Sequence, residues 1–158
     1  MPGTGGVLAA PAARRCMPLS ISARTIAAGY LAPTGAEGLR VVDAYSRIVR
    51  LGEGLSQTGR LGEPAIQRTL EALDICRDKM DRRGVTKARL IATEACRAAS
   101  NGAEFVERVY ERTGLSLEIV SREVEARLAV AECASLVDPT SAGAVVFAIG
   151  GGAAAPPP

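Results

Sequence analysis

The chain has 158 residues, enough for one domain or for part of a larger protein. Its net charge is only +2, with 19 Lys and Arg against 17 Asp and Glu, which does not favour nucleic acid as a partner. It contains no His, which excludes Ser-His-Asp and Cys-His catalysis and every metal site with an imidazole ligand. Any chemistry must therefore come from carboxylates, Arg, hydroxyls, thiols or backbone amides.

The predicted elements begin after residues 1–37, which are rich in Gly, Ala and Pro, show no sustained period and are expected to be irregular. Residues 39–49 are rich in Val, Ile and Tyr and predict a long strand or a strand pair. A Gly-dotted loop follows over 51–63. Apolar residues at helical spacing then predict a helix over 64–83, which Gly84 ends.

Strands and helices alternate through the rest of the chain. We expect a strand at 88–92, a short helix from Thr93 to about 99, a helix from Asn101 to Gly114, a strand at 115–120, a helix from Ser121 to about 136, and a strand at 143–149. This order implies an α/β layer with mostly parallel strands. Ligands of such sheets bind beyond the carboxyl ends of the strands, so the four segments that leave those ends form a candidate site. These segments are the loop from Leu51, Thr93 and Glu94 with Arg97 and Asn101, Ser121 to Arg127, and Gly150 to Gly152.

Two of these segments contain groups that could bind phosphate. Gly150, Gly151 and Gly152 follow an apolar strand and could bring backbone amides close to an anion, although triglycine also occurs in flexible tails. Arg97 could bind a phosphate oxygen, or it could be a solvated helix charge. Asn101, four residues later, could share that site or cap the next helix.

The helix after Ser121 begins with Glu123 and Glu125. Carboxylates in the first turn are favoured by the helix dipole, and that is the simpler interpretation. Alternatively, one of them is a general base that orients water for attack on phosphorus.

The cysteines have no C-x-x-C spacing and no apolar run reaches the ~18–20 residues of a membrane span, so we predict a cytoplasmic protein that does not contact a membrane.

Four segments, taken together, resemble the exopolyphosphatase/guanosine pentaphosphate phosphohydrolase (Ppx/GppA) family. They are RLGEGLSQTGRL (50–61), LIATEACRAASNGAEF (90–105), TGLSLEIVSREVEARLA (113–129) and VVFAIGGG (145–152). The resemblance implies an α/β protein with an actin-like ATPase (ribonuclease H-like) fold, of which this chain is a partial first lobe with a mixed, mostly parallel sheet and flanking helices. It assigns 38–142 to that lobe, 143–152 to the opening strand and Gly loop of a second lobe, and 153–158 to a low-complexity tail.

The resemblance also implies a function: hydrolysis of terminal phosphoanhydrides, with polyphosphate or pppGpp as substrate and Mg²⁺ as the usual cofactor. It identifies Glu125 of EVEAR as the base that activates water. It places Arg97 and Asn101 in the A-T-x-x-x-R-x-x-x-N segment that lines the phosphate site, and Gly150, Gly151 and Gly152 in the second phosphate loop.

Two departures from the family pattern point to an incomplete, inactive version. Ala148 stands where the family has the Asp that helps hold Mg²⁺, and a methyl group cannot ligate that cation, so no metal ligand is assigned here. The family's D-x-G-S/T-N loop does not occur in residues 1–37. A shifted reading frame at both ends, or a degraded copy, would explain both departures.

Three alternatives stay open beside the hydrolase. The chain could be a non-catalytic module that binds polyphosphate or an alarmone, an inert fragment, or a relative of the sugar and acetate kinases that share the fold. A half-sheet that lacks its first strand would expose an edge, from which we predict a possible homodimer.

Overall fold

The structure, a computed structural model, describes residues 15–34 and 39–133, and the account below concerns that part of the chain. Its elements are β1 (Arg15–Ile21), β2 (Thr25–Pro33), β3 (Leu39–Ile48), α1 (Leu55–Thr58), α2 (Glu63–Arg83), β4 (Val85–Ala92), α3 (Glu94–Ala98), α4 (Gly102–Thr113), β5 (Leu117–Ile119) and α5 (Arg122–Cys133). Within these residues, no helix is both long and apolar enough to cross a membrane.

The five strands form one mixed sheet in the order β3-β2-β1-β4-β5. β2 is antiparallel to β1 and β3, whereas β1, β4 and β5 are mutually parallel. The mixed sheet confirms the predicted fold class, but fewer neighbouring strands run parallel than predicted. The reason is that short connections join β1, β2 and β3, and such connections favour antiparallel pairs. With β2 alone reversed, the carboxyl ends of β1, β3, β4 and β5 lie at one edge.

The prediction that residues 1–37 are irregular is wrong for β1 and β2. In β1, Met17, Leu19 and Ile21 are buried and alternate with more exposed residues, and β2 shows the same alternation. This period of two is the signal of a half-buried strand. Pro18 argues against a central strand because it cannot donate to the ladder, yet it lies in β1 opposite Arg89. The expectation that the sheet lacks its first strand is therefore wrong, because β1 lies in the sheet between β2 and β4.

The other boundaries follow the sequence closely. α2 begins at Glu63 and ends before Gly84, whose φ of 60° is the left-handed conformation that glycine adopts without strain. β4 begins at Val85, three residues earlier than predicted, and β5 is shorter than the predicted strand. The predicted strand at 143–149, the glycines after it and the tail lie outside the described residues.

The core lies between the sheet and the helices α2 and α4. The Tyr30 hydroxyl of β2 donates to the Cys76 carbonyl of α2 at 3.3 Å. Cys76 and Cys96 are buried, and burial raises the pKa of these thiols to about 11 and about 12. Both thiols therefore stay protonated at neutral pH and pack as small hydrophobes. The opposite face of the sheet has a groove of about 590 Å³ lined mainly by small and apolar residues.

Candidate functional site

Loops from four strands meet at the edge formed by the strand carboxyl ends. Gly52, after β3, donates its N–H to the Ala23 carbonyl in the turn after β1, at 2.8 Å. The Thr93 hydroxyl, after β4, donates to the Ile21 carbonyl at 3.2 Å. Val120, after β5, donates its N–H to the Ala92 carbonyl at 3.1 Å. These bonds fix the loops relative to one another.

Between α3 and the start of α5 these loops leave an open cleft of about 430 Å³, called the α3–α5 cleft below. Its lining residues are Glu94, Arg97, Ala98, Ser121, Arg122 and Glu123. Most of these side chains are charged, and both signs are present. The cleft is therefore suited to a polar, ionic ligand rather than to an apolar one.

Arg97 lies at the centre of the charged groups. Its Nη1 donates to the Val120 carbonyl, while Nη2 donates to a carboxylate oxygen of Glu94 and to Oε2 of Glu125, the latter at 3.3 Å. Its side chain is only 24% exposed. A guanidinium has five N–H donors in a fixed plane, so Arg97 links α3 to α5 and still faces the cleft.

Glu94 and Arg122 lie in two of the segments predicted to form the site, but no individual role is predicted for either. Arg122 donates to both carboxylate oxygens of Glu94, at 3.0 and 3.3 Å. The hydrogen bonds from Arg122 and then Arg97 lower the pKa of Glu94, which is therefore ionised at neutral pH. Two sequence signals were available: Glu94 precedes Arg97 by three residues on one helix, and Arg122 is the first residue of α5, three positions after the last residue of β5.

The start of α5 positions two carboxylates at the cleft. The Val124 N–H donates to the Ser121 hydroxyl oxygen at 3.3 Å, which confirms Ser121 as the predicted helix cap. The Ser121 hydroxyl is also the main cause of the lowered pKa of Glu123, with smaller contributions from Arg97 and Arg122. Glu125 is 39% exposed and adjoins the cleft through its ion pair with Arg97.

Asn101 has a different environment from Arg97. Its side-chain oxygen accepts the Leu61 N–H at 2.8 Å and its side-chain amide donates to the Leu61 carbonyl at 3.1 Å. Asn101 directly precedes α4, but its side chain makes no capping hydrogen bond, so the predicted cap is wrong. The phosphate-binding role of Asn101 stays a prediction. Gly150, Gly151 and Gly152 lie outside the described residues, as does Ala148.

The acidic groups of the cleft do not fit the Mg²⁺ that the family resemblance implies. Over the described ranges, there is no group of three or more acidic or cysteine side chains arranged to hold a metal ion. Mg²⁺ requires oxygen ligands around the ion. The carboxylate oxygens of Glu94 and Glu125 instead accept hydrogen bonds from arginines.

A family model described as the Ppx/GppA phosphatase family matches residues 31–154. This chain belongs to that family. The match includes the α3–α5 cleft and every site residue predicted above, whereas β1 and the turn after it precede the matched range.

Solved structures of Ppx/GppA proteins have the same fold. A family member from Aquifex aeolicus is 30% identical, with a TM-score of 0.72 over 77% of this chain and 39% of its own. A structure titled as the Aquifex aeolicus PPX-GPPA enzyme is also 30% identical, with a TM-score of 0.75 over 81% of this chain and 42% of its own. An exopolyphosphatase from Cytophaga hutchinsonii, 22% identical with a TM-score of 0.69 over 73% of this chain and 36% of its own, shares the fold.

This chain thus spans about two fifths of the length of the Aquifex structures it matches. The actin-like architecture and the identity as a partial lobe are confirmed. The reaction, the substrate and the role of each residue belong to the proposal that follows.

Proposed function

We propose that the α3–α5 cleft binds the terminal phosphates of a phosphoanhydride chain, either polyphosphate or pppGpp, and that Arg97 is the residue that contributes most to phosphate binding. The proposal rests on one contact at the edge where the carboxyl ends of the strands meet. There Nη2 of Arg97 lies 3.3 Å from Oε2 of Glu125. An α/β sheet binds its ligands at this edge, and a guanidinium is the side chain best suited to phosphate oxygens.

The ion pair supports the division of roles that the family resemblance implies. Phosphate oxygens compete with Glu125 for Arg97, so a bound phosphate would release the Glu125 carboxylate beside the phosphorus atom. Glu125 would then orient water and accept its proton while the water oxygen bonds to the terminal phosphorus. The bond from that phosphorus to the bridging oxygen breaks, and the shortened phosphate chain leaves.

This chain by itself binds the phosphate chain without hydrolysing it, in our proposal. Phosphoryl transfer depends on positioning and charge neutralisation, and the chain has Ala148 where the family has Asp and no D-x-G-S/T-N motif in residues 1–37. In this proposal, turnover of polyphosphate or pppGpp requires both of these motifs. A non-catalytic binding module, the alternative left open by the sequence, is favoured for this chain by the same two departures.

Titration calorimetry with tripolyphosphate tests the binding. We expect Arg97→Ala and Arg97→Lys to lower the affinity at least about tenfold, because Lys cannot replace a planar, bidentate donor. Arg82→Ala is the matched control: it removes the same charge from α2, where the Arg82 side chain is 81% exposed. Its affinity should stay within about twofold of the unmodified chain. Equal losses for Arg82 and Arg97 would show that the anion binds to general positive charge.

A phosphate-release assay with polyphosphate and pppGpp, in the presence of Mg²⁺, tests the second part. We expect no release above the blank. Turnover that disappears in Glu125→Gln would contradict the proposed inactivity of this chain, although it would support the role proposed for Glu125.

A further inference from the structure

The Glu94 carboxylate is shared by both arginines of the α3–α5 cleft. One of its oxygens accepts Nη2 of Arg122 at 3.0 Å, and the other accepts Nε of Arg122 at 3.3 Å together with Nη2 of Arg97. Arg97 belongs to α3 and Arg122 to α5, so a single carboxylate brings together two guanidiniums that are 25 positions apart in sequence.

Arg122 depends on this contact more than Arg97 does. Arg97 has further partners in Val120 and Glu125, and its side chain is 24% exposed. The Arg122 side chain is 74% exposed, and Glu94 is its hydrogen-bond partner in the cleft. A long, exposed side chain without such a partner samples many rotamers, and a ligand must then offset the loss of that freedom on binding.

We propose that Glu94 is the positioning residue of this cleft, and that the Arg97–Arg122 pair it holds selects ligands with two neighbouring phosphates over a single phosphate. This inference rests on the proposed function, in which Arg97 binds phosphate. Two guanidiniums bonded to one carboxylate lie side by side, so adjacent phosphoryl groups of a chain can each meet one of them. Orthophosphate can occupy only one such position.

Charge alone predicts the opposite behaviour, which makes the inference testable. Glu94, Glu123 and Glu125 face Arg97 and Arg122 in and beside the cleft, so three carboxylates against two guanidiniums leave a formal charge of −1. Removing any of these carboxylates makes the cleft more positive, and Coulomb's law then favours anion binding. If Glu94 positions the arginines, its removal must weaken the binding of a phosphate chain instead.

The experiment compares orthophosphate and tripolyphosphate by calorimetry on the full chain, at one ionic strength. We expect Glu94→Gln to weaken tripolyphosphate binding about tenfold despite the gain in net positive charge. Glu94→Asp, which keeps the charge and shortens the side chain, should change the affinity in the same direction. Glu123→Gln is the charge control and should bind tripolyphosphate at least as tightly as the unmodified chain.

Arg122→Ala isolates the second guanidinium. We expect it to lower the ratio of the tripolyphosphate affinity to the orthophosphate affinity at least about tenfold, because a single phosphate can still bind to Arg97 alone. The ratio of the two affinities is the decisive quantity, since a loss of stability would lower both affinities without changing their ratio.

Two outcomes separate this inference from the proposed function. If Glu94→Gln binds tripolyphosphate as tightly as Glu123→Gln does, Glu94 contributes only charge and the inference is overturned. If the unmodified chain binds neither anion, the proposed function itself fails. Urea unfolding of each variant shows whether it is folded. If Glu94→Gln does not fold, the two separate variants Glu94→Asp and Arg122→Ala test the positioning role of Glu94.

Discussion

At the residue scale, Arg97 and Asn101 show how far a motif determines the role of its members. The two residues lie four positions apart, and the sequence predicts a shared phosphate site for both. In the structure Arg97 faces the α3–α5 cleft, whereas the Asn101 amide is paired with Leu61, which is 40 positions away. Periodicity can predict neighbours along a helix, but it cannot identify a backbone partner in a distant loop.

Gly102 tests the close approach of α3 and α4. A Cβ at Gly102 would lie 1.9 Å from the Cys96 carbonyl oxygen, so the two helices must move apart to accommodate it. We expect Gly102→Ala to lower the free energy of unfolding by about 3 kcal/mol, measured by urea denaturation.

Gly62→Ala is the matched control for this variant. Gly62 has a φ of −76°, and the nearest atom to a Cβ at this position is Cδ of Pro64 at 3.9 Å. An alanine fits there without strain, so the free energy of unfolding should change by less than about 1 kcal/mol. Equal effects of the two substitutions would contradict the tight contact at Gly102.

At the element scale, the helices could be predicted more accurately than the first two strands. Gly84 and Gly114 end α2 and α4 with positive φ, and a glycine after a helical period is a strong local signal. β1 and β2 were missed because their small residues and Pro18 obscure an alternation that is only three buried residues long in β1. The pairing of β1 with β4, far apart in sequence, supplies the stability that local propensity lacks.

Glu63 links two of these elements, because its carboxylate accepts two hydrogen bonds from Arg108 of α4, at 2.6 and 2.8 Å. The Arg108 hydrogen bond is the main reason that the pKa of Glu63 falls from 4.5 to about 2. A carboxylate with a lowered pKa stabilises the folded state above its unfolded pKa, and this contribution is lost as the pH falls through the folded value.

We therefore expect Glu63→Gln to be less stable than the unmodified chain at pH 7, and the difference to shrink between about pH 5 and pH 2. Urea unfolding across this range measures it. Glu104→Gln serves as a control, since Glu104 lies 3.9 Å from Arg60 with both side chains largely exposed, and its effect should not vary in this way. If the two variants respond to pH alike, the Glu63–Arg108 pair does not couple α2 to α4.

At the scale of the whole molecule, the site could be predicted mainly through the order and direction of the strands, which bring distant loops to one edge of the sheet. The carboxyl ends of β3, β4 and β5 share an edge, so the loops expected to converge there do so in three of the four predicted cases. The fourth, at Gly150, Gly151 and Gly152, lies outside the described residues. The link between Glu94 and Arg122 could not be predicted, because it depends on how two separate helices approach each other.

The whole molecule also offers a competing location for an anion. Arg77, Arg82 and Arg83 are exposed on α2, each in an ion pair with an aspartate. The α3–α5 cleft must bind the anion more tightly than these arginines do if its geometry matters more than positive charge. The missing first strand was the reason for expecting a homodimer, and β1 removes that reason. The homodimer and the cytoplasmic location are therefore untested predictions.

Titration of the ¹⁵N-labelled chain with tripolyphosphate, followed by two-dimensional NMR, tests the central claim most directly because it locates the bound anion. We predict that the largest shifts affect the backbone amides of residues 94–98 and 120–125 and the Nε–H signals of Arg97 and Arg122, and that Arg97→Ala removes them. Shifts centred on Arg77, Arg82 and Arg83 of α2, or an unchanged pattern in Arg97→Ala, would contradict the assignment of the phosphate site to the α3–α5 cleft.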